Sequence, residues 1–324
     1  MHILLTGGNG YIGSHIIVEL LTNYPEINII VVDNLSHSEI TIPHTIYKLT
    51  NKYVRLYNMD LRSDDLKTVF ENHDITHVIH LAGLKSVGES TLNPLNYYDQ
   101  NVGGTLNLLK YMQIFKVKNI IFSSSATVYQ SSCLPLTEQS ILAPSNPYGH
   151  TKLVIELLLS DLCKDLTFNC TILRYFNPIG NHPSGLLMEL KGDNIMPKLC
   201  DSLINKKTFS IYGNYLTKNG SAERDYIHVV DLAKGHIAVL NQKGYHVYNL
   251  GTGKGVSVLE LIKTMEKVSG QTINYAYQDR RPGDVAFILC NPSKIKNELG
   301  WQTTLTVEDM CKDVLTGLKV NQLL

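Results

Sequence analysis

The chain opens with a short apolar run, Ile3 to Leu5. Glycines follow at 7, 10 and 13, and then Ile12, Ile16, Ile17 and Leu20 recur at helical spacing. A second apolar run, Ile29 to Val32, closes on Asp33. Apolar runs of this length bounded by turn residues read as buried strands, and the spacing between them as a helix packed on one face. The alternation continues. Residues 34–52 are polar and predict a loop with a weak helix, and Tyr53 to Tyr57 predicts a strand ending near Asp60. Asp64 to Asn72 predicts a helix, and His77 to Leu81 a buried strand ending in Ala82-Gly83. Asn93-Pro94 marks the start of a long helix, apolar on one face, that runs to Phe115. Asn119 to Ser123 is the next strand, a helix begins around Tyr148 and carries Leu153 to Leu162, and Asn169 to Leu173 is a further strand. This order predicts an α/β, Rossmann-like, doubly wound parallel sheet, with ligands at the carboxyl ends of its strands.

The pattern changes after Asn177-Pro178. Gly, Pro and Asn become frequent up to Pro197, and helices are predicted around Met196–Asn205, Asp231–Leu240, Val258–Ser269 and Val307–Leu318. Ser257 with Glu260, and Thr306 with Asp309, have the spacing of N-terminal capping boxes. A smaller, mainly helical C-terminal substrate domain is expected. The expected division is 1–178 and 179–324, with segments such as 229–250 packing back onto the first domain.

The first strand, glycine turn, helix and second strand suggest a nucleotide site. Glycine tolerates positive φ and lets backbone approach a ligand. A helix N-terminus offers unpaired N–H groups to a pyrophosphate. An acid closing the second strand accepts from a ribose 2′-OH. The spacing is G-x-x-G-x-x-G, and the three glycines alone fit a ligand-free turn equally well; the flanking strand, helix and Asp33 favour a dinucleotide. No Arg or Lys stands between Asn34 and Ser38, so NAD is expected rather than NADP.

Composition narrows the classes. In 324 residues, 44% are hydrophobic, and Lys plus Arg equals Asp plus Glu at 29 each, so no field of one sign advertises nucleic acid or a membrane surface. The six cysteines form no C-x-x-C pair and no zinc spacing, and read as reduced thiols of a cytoplasmic protein. No apolar stretch has the length of a membrane span. His15, His80, His182 and His228 lack His-x-x-x-His spacing or a carboxylate cluster, so structural roles are expected and no metal.

Ser123-Ser124-Ser125 closes the fifth strand, and Tyr148 and Lys152 follow at i and i+4, on one helix face. A nearby ammonium is expected to favour the phenolate and lower the tyrosine pKa. Ser125 can hydrogen-bond the same substrate hydroxyl. Such a trio takes a proton from an alcohol while a nicotinamide takes the hydride.

With these residues the chain resembles the extended short-chain dehydrogenases/reductases, and within them the UDP-glucose 4-epimerase family. The matching segments are Thr6-Gly-Gly-Asn-Gly-Tyr-Ile-Gly-Ser-His15, Ala82-Gly-Leu-Lys-Ser-Val-Gly-Glu-Ser90, Ser123-Ser-Ser-Ala-Thr-Val-Tyr129, Leu173-Arg-Tyr-Phe-Asn-Pro178, His182-Pro-Ser-Gly185, Arg224-Asp-Tyr-Ile-His228, Tyr248-Asn-Leu-Gly-Thr-Gly253 and Arg281-Pro-Gly-Asp284. They run in order through nearly the whole chain.

The resemblance implies roles for named residues. NAD would be held by Gly7, Gly10, Tyr11, Ile12, Gly13, Asp33, Asn34, Asp60, Leu61, Lys85, Asn101, Ser123, Tyr148, Lys152, Tyr175 and Phe176. A UDP-hexose would be held by Lys85, Ser125, Tyr148, Asn177, Asn194, Tyr212, Arg224, Arg281, Asp284 and Ile288, the last at the wall beside the sugar's 2-substituent. Taken singly, Lys85, Arg224 and Arg281 read as solvated surface groups, and Phe176 and Tyr212 read equally as core aromatics. Tyr148, Lys152 and Ser125 would be catalytic, inverting C4 of UDP-glucose or UDP-galactose through a 4-keto intermediate. The resemblance also implies a homodimer. The alternatives are a nucleotide-sugar 4,6-dehydratase, which would place an acid pair where Ala126-Thr127 follows Ser125, and a non-catalytic NAD-binding regulator. Among departures from the family pattern, Gln130 stands where glycine is usual and Glu223 puts an acid beside Arg224.

Overall fold

The computed structural model describes residues 1–165, 168–189, 192, 194–280 and 285–324. In chain order the elements are β1 (His2–Thr6), α1 (Tyr11–Asn23), β2 (Asn28–Asp33), α2 (Ile42–Thr50), β3 (Arg55–Asn58), α3 (Leu66–Asn72), β4 (His77–His80), α4 (Val87–Leu92) and α5 (Pro94–Tyr97). A π-helical turn, Tyr98–Gly103, leads into α6 (Gly104–Ile114). Then come β5 (Asn119–Ser125), a 3-10 turn at Ala126–Val128, α7 (Pro147–Asp165), β6 (Asn169–Tyr175), β7 (Asn177–Ile179), α8 (Ile195–Asn205), β8 (Phe209–Tyr212), β9 (Glu223–His228), α9 (Val229–Ala238) and β10 (Tyr245–Leu250). The chain closes with β11 (Gly255–Ser257), α10 (Val258–Ser269), β12 (Tyr275–Gln278), β13 (Phe287–Ile288), α11 (Ser293–Leu299) and α12 (Val307–Val320).

The chain divides into two compact units. The first comprises Met1–Gln130, Ile141–Arg174 and Ala233–Tyr248, and the second Ser131–Ser140, Tyr175–Leu232 and Asn249–Leu324. Against the expected division of 1–178 and 179–324 with 229–250 returning, the changeover falls after Arg174, 233–248 belongs to the first unit and 131–140 to the second.

Among the described residues the first unit is organised on a seven-stranded sheet in the order β10-β6-β5-β4-β1-β2-β3. β1 is paired in parallel with both β2 and β4. The chain winds outward one way from β1 and the other way from β4, so the crevice at their carboxyl ends is a topological switch point, the usual ligand position in such sheets. The core is built from the strands' apolar runs and the inward stripes of the helices: Leu4, Ile30, Val78, Ile120 and Ile172 with Val69, Leu108, Met112, Ile155 and Leu159.

One element departs from the sequence pattern. The helix expected to run from Pro94 to Phe115 widens into the π turn at Tyr98–Gly103. The widened turn carries Asn101 into a buried position, where its carboxamide binds the Leu84 backbone. Within the segment expected to be loop with a weak helix, residues 42–50 form the helix α2.

In the second unit β9 pairs with β11 and β13, β7 adds to β9, and β8 pairs with β12. Its core packs α8, α10 and α12 through Leu199, Leu203, Leu261, Met265, Met310, Val314 and Leu318. Both expected capping boxes are formed, with Ser257 and Thr306 each bonded reciprocally to the residue three positions on. No helix among the described residues is long and apolar enough to cross a membrane.

Candidate active site

The turn after β1 is shaped by close approach. Gly7 has φ +69°, and a Cβ on it would lie 2.7 Å from the Ala82 nitrogen. A Cβ on Gly13 would lie 2.6 Å from Gly8 Cα. These contacts draw the first turn of α1 onto the loop. Gly10 caps that turn without a side chain, so the leading N–H groups have no intrahelical acceptor and face outward as an anion site. At the end of β2, one Asp33 carboxylate oxygen accepts from Asn9 N (3.1 Å) and the other from Leu35 N (2.9 Å) and Ser38 Oγ (3.0 Å). A carboxylate has about four acceptor positions, so capacity remains for a ribose hydroxyl. Uncapped helix, glycine loop and acid together fit a dinucleotide.

Around this loop, Tyr11 and Ile12 are half-buried, Asn34 and Lys85 exposed, and Leu61 packs into the core. Asp60 pairs with Arg62 at 2.7 Å, and this guanidinium holds its carboxyl below the usual range.

Beyond β5, two strands from β1 in the sheet, α7 starts at an Asn-Pro sequence. Asn146 Oδ1 accepts from Gly149 N (2.9 Å), and Pro147 presets the first helical φ. This places Tyr148 in the first turn and Lys152 one turn later. The Lys152 ammonium is buried, donates to the Ser123 carbonyl (2.7 Å), and lies 5.9 Å from the Tyr148 ring centroid. The phenol does not behave as the Tyr-x-x-x-Lys spacing alone suggests. Burial pushes the half-buried Tyr148 up, and the opposing influence is a hydrogen bond with Ser125. Burial also pushes Lys152 down to about 8, with the Glu156 charge opposing. Desolvation outweighs the ammonium because Lys152 is anchored on a carbonyl rather than on the phenol oxygen.

Ser125 is oriented by Thr127. Both Thr127 N (3.2 Å) and Thr127 Oγ1 (2.9 Å) donate to Ser125 Oγ. The Ser125 proton is therefore left for Tyr148, where it stabilises a phenolate.

A buried polar chain runs from the last residue of β1 to the first turn of α7. Thr6 Oγ1 meets His80 Nδ1 (2.6 Å), His80 Nε2 meets Thr105 Oγ1 (2.8 Å), and Thr105 donates to the Asn101 carbonyl (2.6 Å). Asn101 Nδ2 donates to Thr151 Oγ1 (3.1 Å), and Thr151 donates to the Tyr148 carbonyl (2.7 Å). Burial drives His80 down to about 3, so its ring stays neutral. No group of three or more His, Cys, Asp or Glu side chains among the described residues is placed to hold a metal ion.

Comparison with known proteins decides the family. A UDP-glucose 4-epimerase of Dictyostelium discoideum is 46% identical over 98% of this chain and 96% of its own length. One of Bacillus subtilis is 47% identical over 97% and 95% respectively. The chain belongs to the UDP-glucose 4-epimerase family, within the extended short-chain dehydrogenases/reductases. A crystal structure of the family member from Bifidobacterium longum, in complex with NAD+ and UDP, superposes with a TM-score of 0.95 at 44% identity, covering 100% of this chain and 99% of that one. A broader family model, described as GDP-mannose 4,6 dehydratase, matches residues 4–314.

Several residues that the family resemblance points to lie in the second unit. β9 carries Arg224, flanked in register by Val256 of β11 and Ile288 of β13. Asn177 on β7 is in register with Tyr226 of the same β9. Arg224 Nη1 donates to the carbonyls of Glu223 (2.9 Å) and Ala286 (3.3 Å), so it is the Glu223 backbone that meets the guanidinium. Tyr212 is half-buried at the end of β8, and Tyr175 and Phe176 are buried. Asn194 begins α8, but its amide is already bonded to the Glu189 carboxylate (2.8 and 3.0 Å). Arg281 and Asp284 lie outside the described residues.

Two residues of the Arg224–His228 family motif have structural work. Asp225 is buried and accepts from Thr252 N (2.8 Å), Gly253 N (2.8 Å) and Cys290 N (3.2 Å), which fixes the Gly251–Gly253 turn. His228 accepts from Val230 N at Nδ1 and bonds Asp313 through Nε2 (3.1 Å). Thr127 and Arg174 lie in motif segments but carry no role from the sequence, and Thr151 and Glu156 lie in none, although Glu156 continues the Tyr148, Lys152 stripe at the next i+4 position.

Proposed function

We propose that the chain interconverts UDP-glucose and UDP-galactose by inverting C4, with NAD as cofactor. The observation that carries this is the placement of Tyr148 and Lys152 one turn apart at the start of α7, with Lys152 Nζ bonded to the Ser123 carbonyl two residues before Ser125, in a Rossmann unit whose glycine turn fits a dinucleotide. NAD held at that turn supplies the hydride acceptor and donor. Tyr148 as phenolate takes the proton of the 4-hydroxyl, Ser125 donates to the developing charge, and Lys152 supplies the compensating positive charge. Once the 4-ketose has turned over and presents its opposite face for hydride return, Tyr148 gives the proton back to the C4 oxygen. The cycle has no net redox change, so the cofactor need not leave.

In this reading Asp33 binds the adenosine ribose, Asp60 and Leu61 border the adenine, and Lys85, Asn101 and Phe176 border the rest of the cofactor. Arg224 and Arg281 take the substrate's pyrophosphate because guanidinium forks match phosphate oxygens. Tyr212 stacks on uracil, Asp284 accepts from the uridine ribose, and Asn177 and Asn194 hold the sugar side, Asn194 after exchanging Glu189 for substrate. Ile288 bounds the sugar's 2-substituent.

The dehydratase alternative lacks its acid pair. Ala126 is buried and Thr127 is committed to Ser125, so neither can expel a hydroxyl as water. A homodimer is supported by exposed leucines on the helices α4 to α7: Leu92, Leu95, Leu106 and Leu157 are 80%, 84%, 51% and 58% exposed. Six free thiols support a reducing, cytoplasmic setting. The test is conversion of UDP-galactose to UDP-glucose by the pure protein. Tyr148→Phe is expected to lower kcat by roughly 10²–10⁴ and to keep NAD bound. Near-wild-type turnover in that variant refutes the assignment.

A further inference from the structure

The first unit contains a buried ion pair that the chemistry above does not use. Arg174, in β6, grips both carboxylate oxygens of Glu156, in α7, at 2.6–3.2 Å, and both side chains are at most 3% exposed. Such a pair is weak evidence of a stabilising role, since apolar replacements are often as stable. Its attachments point elsewhere. Ser124 Oγ donates to Glu156 Oε1. Arg174 Nη1 donates to Tyr129 OH (2.9 Å). Lys152 Nζ, one turn before Glu156 on the same helix face, donates to the Ser123 carbonyl (2.7 Å). Three grips thus fall on the segment from Ser123 to Tyr129, on either side of Ser125. Ser125 Oγ itself is bonded only by Thr127 among these groups.

We propose that Glu156 and Arg174 are positioning residues that hold the Ser125 hydroxyl in register with Tyr148. Glu156 fixes the segment on the near side of Ser125 through Ser124, and Arg174 fixes its far side through Tyr129. The planar guanidinium does both at once because its fork binds the carboxylate while a third N–H reaches the phenol. The proposal rests on the epimerase reading for its kinetic consequence, but not for its mechanical one.

The test removes both charges together, so that no buried ion is left unpaired. Glu156→Gln with Arg174→Met is made in the wild type and in a Ser125→Ala background. In the wild type the double substitution is expected to lower kcat about tenfold or more with KM within about twofold, since a hydroxyl out of register loses transition-state contacts rather than ground-state binding. In Ser125→Ala the same substitution is expected to cost less than about threefold further, because coupled residues are not additive. Equal losses in the two backgrounds, or no loss in the wild type, overturn the proposal. Should the double variant fail to fold, Ser124→Ala cuts the near grip alone and must show the same non-additivity on a smaller loss; additive or absent loss there overturns it equally. Amide hydrogen exchange gives a readout free of turnover. Exchange in the clamped segment, residues 123–129, should quicken in the variants while the rest of β5 is unchanged, and an unchanged segment overturns the proposal. An inactive wild type with quickened local exchange in the variants would remove the epimerase reading and leave the clamp standing.

Discussion

Gly13→Ala tests the glycine turn directly. The added Cβ would lie 2.6 Å from Gly8 Cα, 2.7 Å from the Gly7 carbonyl oxygen and 2.7 Å from the Gly8 carbonyl carbon. All three neighbours are main chain, so no rotamer relieves the clash. Normal contact is about 3.5 Å or more, so helix and loop must separate by about 1 Å. The helix cannot yield freely, because Ile16, Ile17 and Leu20 behind it are fully buried. Overpacking of this kind costs about 1–3 kcal/mol, and replacing a helical glycine by alanine returns about 1 kcal/mol. The net destabilisation is up to about 2 kcal/mol, a fall in Tm of up to about 8 °C for a unit of this size. The larger effect is on the cofactor, since the same 1 Å moves the N–H groups of the first turn off the pyrophosphate. We expect NAD affinity to fall about tenfold or more, equivalent to about 1.4 kcal/mol. Bound nicotinamide is assayed after denaturing the pure protein, and affinity by titration of the stripped enzyme. Gly88→Ala is the control, because nothing lies within 4 Å of its added Cβ. If Gly13→Ala keeps wild-type NAD content and affinity, the turn is not the cofactor's cradle.

Three further outcomes follow from the same geometry. Lys152 is held at about 8 against an ordinary 10.5, so folding is penalised increasingly as pH falls from 10.5 to about 8 and fully below that, by at most about 3 kcal/mol; Lys152→Met, although inactive, should gain stability relative to wild type at pH 7 and lose that gain above pH 10.5, which melting curves across this range will check. Leu157→Glu on the exposed face of α7 should halve the mass seen by light scattering, and an unchanged mass excludes that face as the dimer contact. Ile288 is β-branched with a stiff χ1 and sits beside Arg224, so Ile288→Ala should raise kcat/KM for N-acetylated UDP-hexosamines about tenfold or more relative to the plain sugars; an unchanged ratio shows that Ile288 does not gate the 2-substituent.

The legible part of this molecule is its local part. The strands β1, β2, β4, β5 and β6 and the helices α1, α3 and α7 are each announced by an apolar run or stripe, and the glycine turn and Asp33 sit within one βαβ span. The π turn was hidden because Leu106, Leu108 and Leu109 keep a helical pattern on its far side, while the cause, Asn101 reaching Leu84, is 17 residues away. The short strands of the second unit carry too few residues to show a period of two; β13 has only Phe287 and Ile288. The sign of the Tyr148 shift depends on burial, which the Tyr-x-x-x-Lys spacing cannot convey. Glu156 and Arg174 are 18 residues apart, and nothing local says that each is the other's partner.

The neutral ring of His80 has a consequence for the buried chain around it. Thr105 gives its own proton to the Asn101 carbonyl, so its oxygen must receive one from His80 Nε2. A neutral imidazole carries a single ring proton, which leaves Nδ1 to receive from Thr6. Asn101 Nδ2 and Thr151 Oγ1 then donate onward in turn. The links at His80 and Thr105 thus share one polarity, and the links beyond Asn101 continue it to the Tyr148 carbonyl. Because burial holds His80 near 3, this polarity does not reverse at any pH at which the protein works. The chain is therefore a wire with a fixed direction and no titrating member in it: it can fix the relative placement of the glycine turn and the catalytic helix, but it cannot report the proton concentration of the solvent to either.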